Sequence, residues 1–212
     1  MTKKSIFFDL DGTLTDSGEG IINCATLALQ HYNLPIPSYE QMRTMVGPPL
    51  RDSFLRFGVP AEEVDNAVAI YRSRYVPIGI FENTPYEGIR ELLEKLHKLG
   101  YPMYVATSKP EEMAGKVLAH FDLAKYFTRV CGATMDHTRG TKSQVIAYLL
   151  AQCGAENPIM VGDTAFDVEG AKAHGIPTIG VAWGYGKVKD MEAAGAVAIA
   201  NTVEELFALL TK

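Results

Sequence analysis

At 212 residues the chain is long for one minimal domain and short for two full ones, which suits one core domain carrying an inserted smaller unit. Apolar residues (47%) outweigh charged ones (21%), so a sizeable core is available and disorder is disfavoured. A net charge of −5 argues against nucleic acid or an anionic membrane as partner.

The cysteines, Cys24, Cys131 and Cys153, are odd in number and widely spaced, without a CxxC or a Cys/His pair. They read as reduced thiols of a cytoplasmic protein. Neither a signal-peptide apolar region nor a run of membrane-spanning length occurs.

The first element lies in IFFDLDGTLTD, residues 6–16. An apolar strand over 5–9 ends on Asp9, with Asp11 two residues on and Gly12 after it. Residues i and i+2 of an extended chain point the same way, so both carboxylates can face one site. Two like charges repel, so a cation must bind or one group must hold a proton. A carboxylate can attack an electrophile while a neighbouring carboxyl moves protons. The plain alternative is an Asp-Gly turn, with Gly12 supplying the bend.

Residues 16–82 read as helical throughout. Helical patterns begin at Asp16, at a Ser38/Gln41 capping box, before Gly58 and again over 61–75. Within MVGPPLRDSF, Gly47 and two prolines make a bend of limited freedom. It can present Leu50 or Arg51 to a substrate, or serve as an interhelical turn. Arg56, Arg72 and Arg74 are expected to be solvated.

From residue 85 onward strands alternate with helices. Strands are predicted over 102–107, 129–133, 158–163, 177–183 and 196–200. Most are continuous apolar runs, which suits strands covered on both faces. The helix over 87–100 carries an apolar stripe at Ile89, Leu92, Leu93, Leu96 and Leu99, and another helix spans 141–154. Thr202 and Glu205 have capping-box spacing. The expected fold is α/β, a doubly wound parallel sheet of Rossmann-like type. Residues 1–15 and 83–212 would form the core, and residues 16–82 an inserted α-helical cap.

Further polar groups fall where ligands gather in such a sheet. One strand ends on Thr107-Ser108 before a helix, an arrangement that suits phosphate oxygens or an ordinary helix cap. Lys142 opens a helix in TRGTKSQVI. This is not a Walker A loop, because Thr141 separates Gly140 from the lysine and Met135 stands where the first glycine would fall. Lys142 can neutralise a phosphate and a carboxylate, or be solvated. In IMVGDTAFDVEG another strand ends on Asp163, with Asp167 in the first helical turn. These acids can supply hard oxygen ligands to Mg²⁺, or cap a helix. Taken jointly, the stretches supply a nucleophile, an acid, phosphate clamps and metal ligands.

At these residues the sequence resembles the haloacid dehalogenase superfamily of phosphohydrolases. DLDGT, ATS, Lys142 and GDTAFD stand in the order of that family's four motifs, and the helical insertion follows the first. VGPPLRDSF and GVAWGYG (180–186) resemble the phosphoglycolate phosphatase-like branch. The resemblance implies an Mg²⁺-dependent hydrolase of a small phosphorylated metabolite, acting through an aspartyl-phosphate. It implies Asp9 as nucleophile and Asp11 as acid and then base. Gly12, Thr107, Ser108 and Lys142 would hold the phosphate. Asp9, the Asp11 carbonyl, Asp163 and Asp167 would be at the metal. Apart from the resemblance, on the functional reading of the bend Gly47, Leu50 and Arg51 would set specificity. No nucleic acid or membrane partner is expected, and the chain would be a monomer or homodimer.

Rival readings remain. A dehalogenase needs no acid at position 11. A phosphoglucomutase-like transferase, a nucleotidase or a pyrophosphatase would keep every core motif. A non-catalytic phosphate-binding regulator would lack one of them. His31, His97, His120, His137 and His174 show no ligand spacing, and Trp183 reads as core rather than substrate platform.

Overall fold

A computed structural model describes residues 3–136 and 138–212, so His137 lies outside the described residues. The chain opens with strand β1 (Ile6–Phe8) and a tight turn. Gly12 sits there at φ +86°, a conformation costly for any side chain, and its N–H donates to the Thr15 carbonyl at 2.8 Å. The two-residue strand β2 (Thr15–Asp16) pairs antiparallel with β3 (Thr84–Pro85). Between them lie helices α1 (Gly18–His31), α2 (Tyr39–Met42), α3 (Leu50–Arg56) and α4 (Val64–Tyr75).

The remainder alternates as expected: α5 (Ile89–Lys98), β4 (Met103–Pro110), α6 (Glu111–His120), β5 (Arg129–Ala133), α7 (Lys142–Gln152), β6 (Ile159–Gly162), α8 (Ala165–Lys172), β7 (Thr178–Val181), α9 (Val188–Ala194), β8 (Ala198–Ala200) and α10 (Val203–Thr211).

The main sheet has the order β5-β4-β1-β6-β7-β8, with every neighbouring pair parallel. The chain builds outward from β1 through β4 to β5, then crosses back to β6 and builds the other way. The order therefore reverses beside β1, and the crevice beyond the C-terminal strand ends opens there.

Both sheet faces are covered. Phe7 packs with Tyr104, Ile146, Leu149 and Met160 on one side. Ile6 and Phe8 join a larger cluster that continues through Leu10 and Leu14 into Cys24, Met45, Phe54 and Tyr71 of the helical layer. That layer is packed tightly: a Cβ at Gly20 would overlap the Gly79 carbonyl. Among the described residues no helix is long and apolar enough to cross a membrane.

Local details depart from the sequence reading. Ile89, Leu92, Leu93 and Leu96 are buried, but Leu99 is exposed, because the helix ends at Lys98 and the stripe with it. The Ser38/Gln41 box forms in full. Thr202 accepts from the Glu205 N–H at 3.2 Å, but the Glu205 carboxylate turns to the Asn201 N–H at 2.8 Å, so that box is one-sided. Arg74 is not solvated. It forms a bidentate pair with Glu82, both bonds 2.7 Å, just before β3.

Candidate active site

Three neighbouring strands deliver the polar groups. Asp9 follows β1, Thr107 and Ser108 lie in β4, and Asp163 follows β6. The β4/β5 register shifts between Ala106 and Pro110. Such an irregularity frees residues 107–109 from the ladder and re-aims their side chains. The Thr107 hydroxyl accepts from the Lys109 N–H at 3.2 Å, which holds this bent segment.

Lys142 opens α7 and reaches back under the strand ends. Its ammonium lies 2.7 Å from Asp9 Oδ1 and 2.7 Å from Asp167 Oδ1, and donates to the Ala106 carbonyl at 2.9 Å. Burial opposes the charge, but Asp167 and Asp9 outweigh it and lift the Lys142 pKa above the ordinary lysine value. The solvated reading of this lysine is thereby overturned.

Asp167 serves two purposes at once. Its Oδ2 accepts from the Thr164 N–H at 3.0 Å and from the Thr164 hydroxyl at 2.7 Å, capping α8, while Oδ1 faces Lys142. Capping and site geometry were alternatives in the sequence; the two carboxylate oxygens allow both. Asp163 is fully buried. Its Oδ1 accepts from the Thr13 hydroxyl at 3.2 Å and its Oδ2 from the Tyr185 N–H at 2.8 Å. Gly12 has no room for a side chain because Asp163 packs against it.

Carboxylate oxygens of Asp9, Asp163 and Asp167 lie within 4.8 Å of one another. Three buried acids face one ammonium, which leaves excess negative charge in a low-dielectric setting. Burial, reinforced by Asp167, pushes the Asp9 carboxyl up to about 6. Burial, with Asp167 and Asp9 adding to it, pushes Asp163 up to about 8. Asp9 Oδ1 and Asp167 Oδ1 have the Lys142 charge beside them but no aligned hydrogen-bond donor among the described residues. An all-oxygen, anionic, under-satisfied set fits a hard divalent cation.

The site faces a cavity of about 340 Å³. Asp9, Asp11, Thr107, Ser108, Lys142 and Asp167 line it from the sheet. Gly47, Leu50, Arg51, Arg72 and Tyr75 line it from the helical layer, with apolar wall from Ile21, Met45 and Val68. Arg51 is ion-paired with Asp65. Gly12 and Asp163 sit behind the cavity wall rather than on it.

Sequence reasoning missed Lys109. It is buried, and its ammonium clamps both Asp11 oxygens and lies 5.2 Å from the Tyr75 ring centroid. A lysine just beyond the apolar run, directly after Thr107-Ser108, was the available signal. Thr13 and Tyr185 were also missed, and only the glycines flanking Tyr185 hinted at close backbone approach. His174 bonds Ser143 and stays structural. Trp183 is half-buried, with its indole N–H donating to the Thr13 carbonyl at 3.1 Å.

Comparison with known proteins agrees with this geometry. A family described as haloacid dehalogenase-like hydrolase matches residues 6–181. A Mycobacterium tuberculosis protein named tyrosine-protein kinase PtkA is 40% identical over 95% of this chain and 70% of its own. A Pseudomonas aeruginosa 5'-nucleotidase is 38% identical over 89% of this chain and 87% of its own. The crystal structure of a predicted phosphatase from Clostridium acetobutylicum superposes with a TM-score of 0.94 at 36% identity, covering 100% and 99% of the two chains. With its acids at the ends of β1 and β6 and the family match running from β1 through β7, the chain belongs to the haloacid dehalogenase-like hydrolases.

Proposed function

We propose that this phosphatase hydrolyses a small phosphorylated metabolite through an aspartyl-phosphate on Asp9, with Mg²⁺ held by Asp9, Asp163 and Asp167. One observation carries the reading: Asp9 lines the cavity with Asp11 beside it, Lys142 2.7 Å away and two further acids within 4.8 Å. In the first half-reaction an Asp9 oxygen attacks phosphorus. The bond to the leaving oxygen breaks, and Asp11 donates the proton that oxygen takes up. In the second, Asp11 takes a proton from water, the water oxygen attacks phosphorus, and the bond to Asp9 breaks. Thr107, Ser108 and Lys142 hold the equatorial phosphoryl oxygens. Bound Mg²⁺ supplies positive charge that offsets repulsion between the carboxylate and the phosphate. Residues 16–82 act as a cap, and whatever lies beyond the phosphoryl group meets it.

A second reading concerns the leaving group. The cavity wall contributed by Ile21, Met45 and Val68 is apolar, and a relative 38% identical is named a 5'-nucleotidase. Both favour a nucleoside monophosphate over a short, wholly anionic ester such as phosphoglycolate.

The test is phosphate release from nucleoside monophosphates, phosphoglycolate, pyrophosphate, sugar phosphates and p-nitrophenyl phosphate, with Mg²⁺ or with chelator. A parallel arm supplies ATP and looks for transfer to protein tyrosine, since one relative is named a kinase. Full turnover in verified metal-free buffer would sink the metal assignment. Isomerised sugar phosphate without free phosphate would point to a transferase.

A further inference from the structure

GVAWGYG (180–186), a motif that the chemistry above leaves unused, runs from the end of β7 into the loop after it. We propose that Tyr185 is a positioning residue that couples docking of the cap to the orientation of Asp163. The inference rests on the Mg²⁺ phosphatase reading, in which Asp163 is a metal ligand.

Tyr185 has two working ends. Its main-chain N–H donates to Asp163 Oδ2 at 2.8 Å. Its hydroxyl donates to the Asp16 carboxylate and accepts from the Gly18 N–H at 2.7 Å. Asp16 and Gly18 flank the point where β2 gives way to α1, the first connection into the cap.

A second cap residue meets the same loop. Arg43, just after α2, donates to the Gly184 carbonyl at 3.2 Å, and its guanidinium lies 5.3 Å from the Tyr185 ring centroid. The cap therefore holds this loop at two separate points.

Little slack exists between the ends. A Cβ on Gly18 would fall 2.8 Å from the Tyr185 hydroxyl, and side chains at Gly184 or Gly186 would overlap Asp163. Cap opening must break the hydroxyl's bonds to Asp16 and Gly18 or drag Tyr185 with them. In the second case the N–H that holds Asp163 Oδ2 moves too. Closing the cap thus favours the Asp163 orientation a cation needs.

The test compares wild type with Tyr185→Phe, which keeps the ring and backbone, Tyr185→Leu, which loses the ring, and Arg43→Met. Thermal melts confirm folding. Hydrogen exchange is read at residues 16–18 and at the Tyr185 amide, and Mg²⁺ affinity is read by calorimetry without substrate. Tyr185→Phe should speed exchange at both places and weaken Mg²⁺ binding about three- to tenfold, the scale of losing the one hydrogen bond from the Tyr185 N–H to Asp163 once the hydroxyl no longer holds the loop. Tyr185→Leu should weaken it further. Combining Tyr185→Phe with Arg43→Met should give less than the sum of the single effects, because both act on one loop. Faster exchange at 16–18 alone, with Mg²⁺ affinity unchanged, would reduce Tyr185 to a cap tether and overturn the coupling. No change at either place would leave it as packing and overturn the proposal entirely. A wild type that binds no Mg²⁺ would overturn the metal reading itself, and exchange at the Tyr185 amide would then decide the coupling.

Discussion

The Lys109 ammonium lies 2.8 and 2.7 Å from the two carboxylate oxygens of Asp11, and both side chains are largely buried. A doubly held carboxylate has few rotamers left, so Lys109 sets where the Asp11 oxygens point before substrate arrives. The same ammonium faces the Tyr75 ring at the end of α4.

Lys109→Met should therefore lower kcat/KM by roughly ten- to a hundredfold, the loss of a charged contact worth about 1.5–3 kcal/mol. Removing one partner of a buried pair also destabilises, so melts accompany the kinetics. A folded variant with unchanged kinetics would leave Lys109 a structural counter-ion.

Asp9→Asn should abolish phosphate release while the protein stays folded. The amide is nearly isosteric but cannot form the phosphorylated intermediate. Trapping with a labelled substrate, acid quench and mass spectrometry should find phosphate on residue 9 of wild type only. Near-normal turnover of the variant, with deamidation excluded, would refute a covalent Asp9.

The two cavity arginines should differ. Arg51 already has Asp65 as partner, whereas half-buried Arg72 has no carboxylate at ion-pair distance among the described residues. Arg72→Ala should reduce kcat/KM more than Arg51→Ala for esters with a second anionic group, by about tenfold for one lost charged contact. p-Nitrophenyl phosphate should respond little to either. Equal effects of both variants on every substrate would remove these two arginines from specificity.

Glu82→Gln should make stability less dependent on pH. The bidentate bond to Arg74 lowers the Glu82 pKa below its ordinary 4.5. A depressed carboxylate contributes stability that is present above about 4.5 and is lost as pH falls through the lower, folded-state value. Wild type should exceed the variant by about 1 kcal/mol at pH 7. The two denaturation curves should converge in acid. A constant gap across pH would show that the charge is not what the pair contributes.

Much of this protein is local and could be read along the chain. An apolar run stopped by an acid is written in adjacent residues, so the strands ending at Asp9 and Asp163 and the helix opening at Lys142 were legible, as was a helical stretch after β2. The order of those motifs carried the family. Pairings between distant elements were not legible, because nothing near a residue says what a crossover will set beside it. Lys109 meets Asp11 across 98 positions of sequence, and Tyr185 meets Asp16 across 169. Asp167 looked like either a cap or a site residue, and only the fold showed that one of its oxygens caps α8 while the other faces Lys142. Arg74 looked solvated because its charge was visible and Glu82, which the fold turns back against it, was not. Composition and periodicity determine which face of an element is buried. Which charges then meet inside is decided when the sheet order and the helical layer bring them within bonding distance.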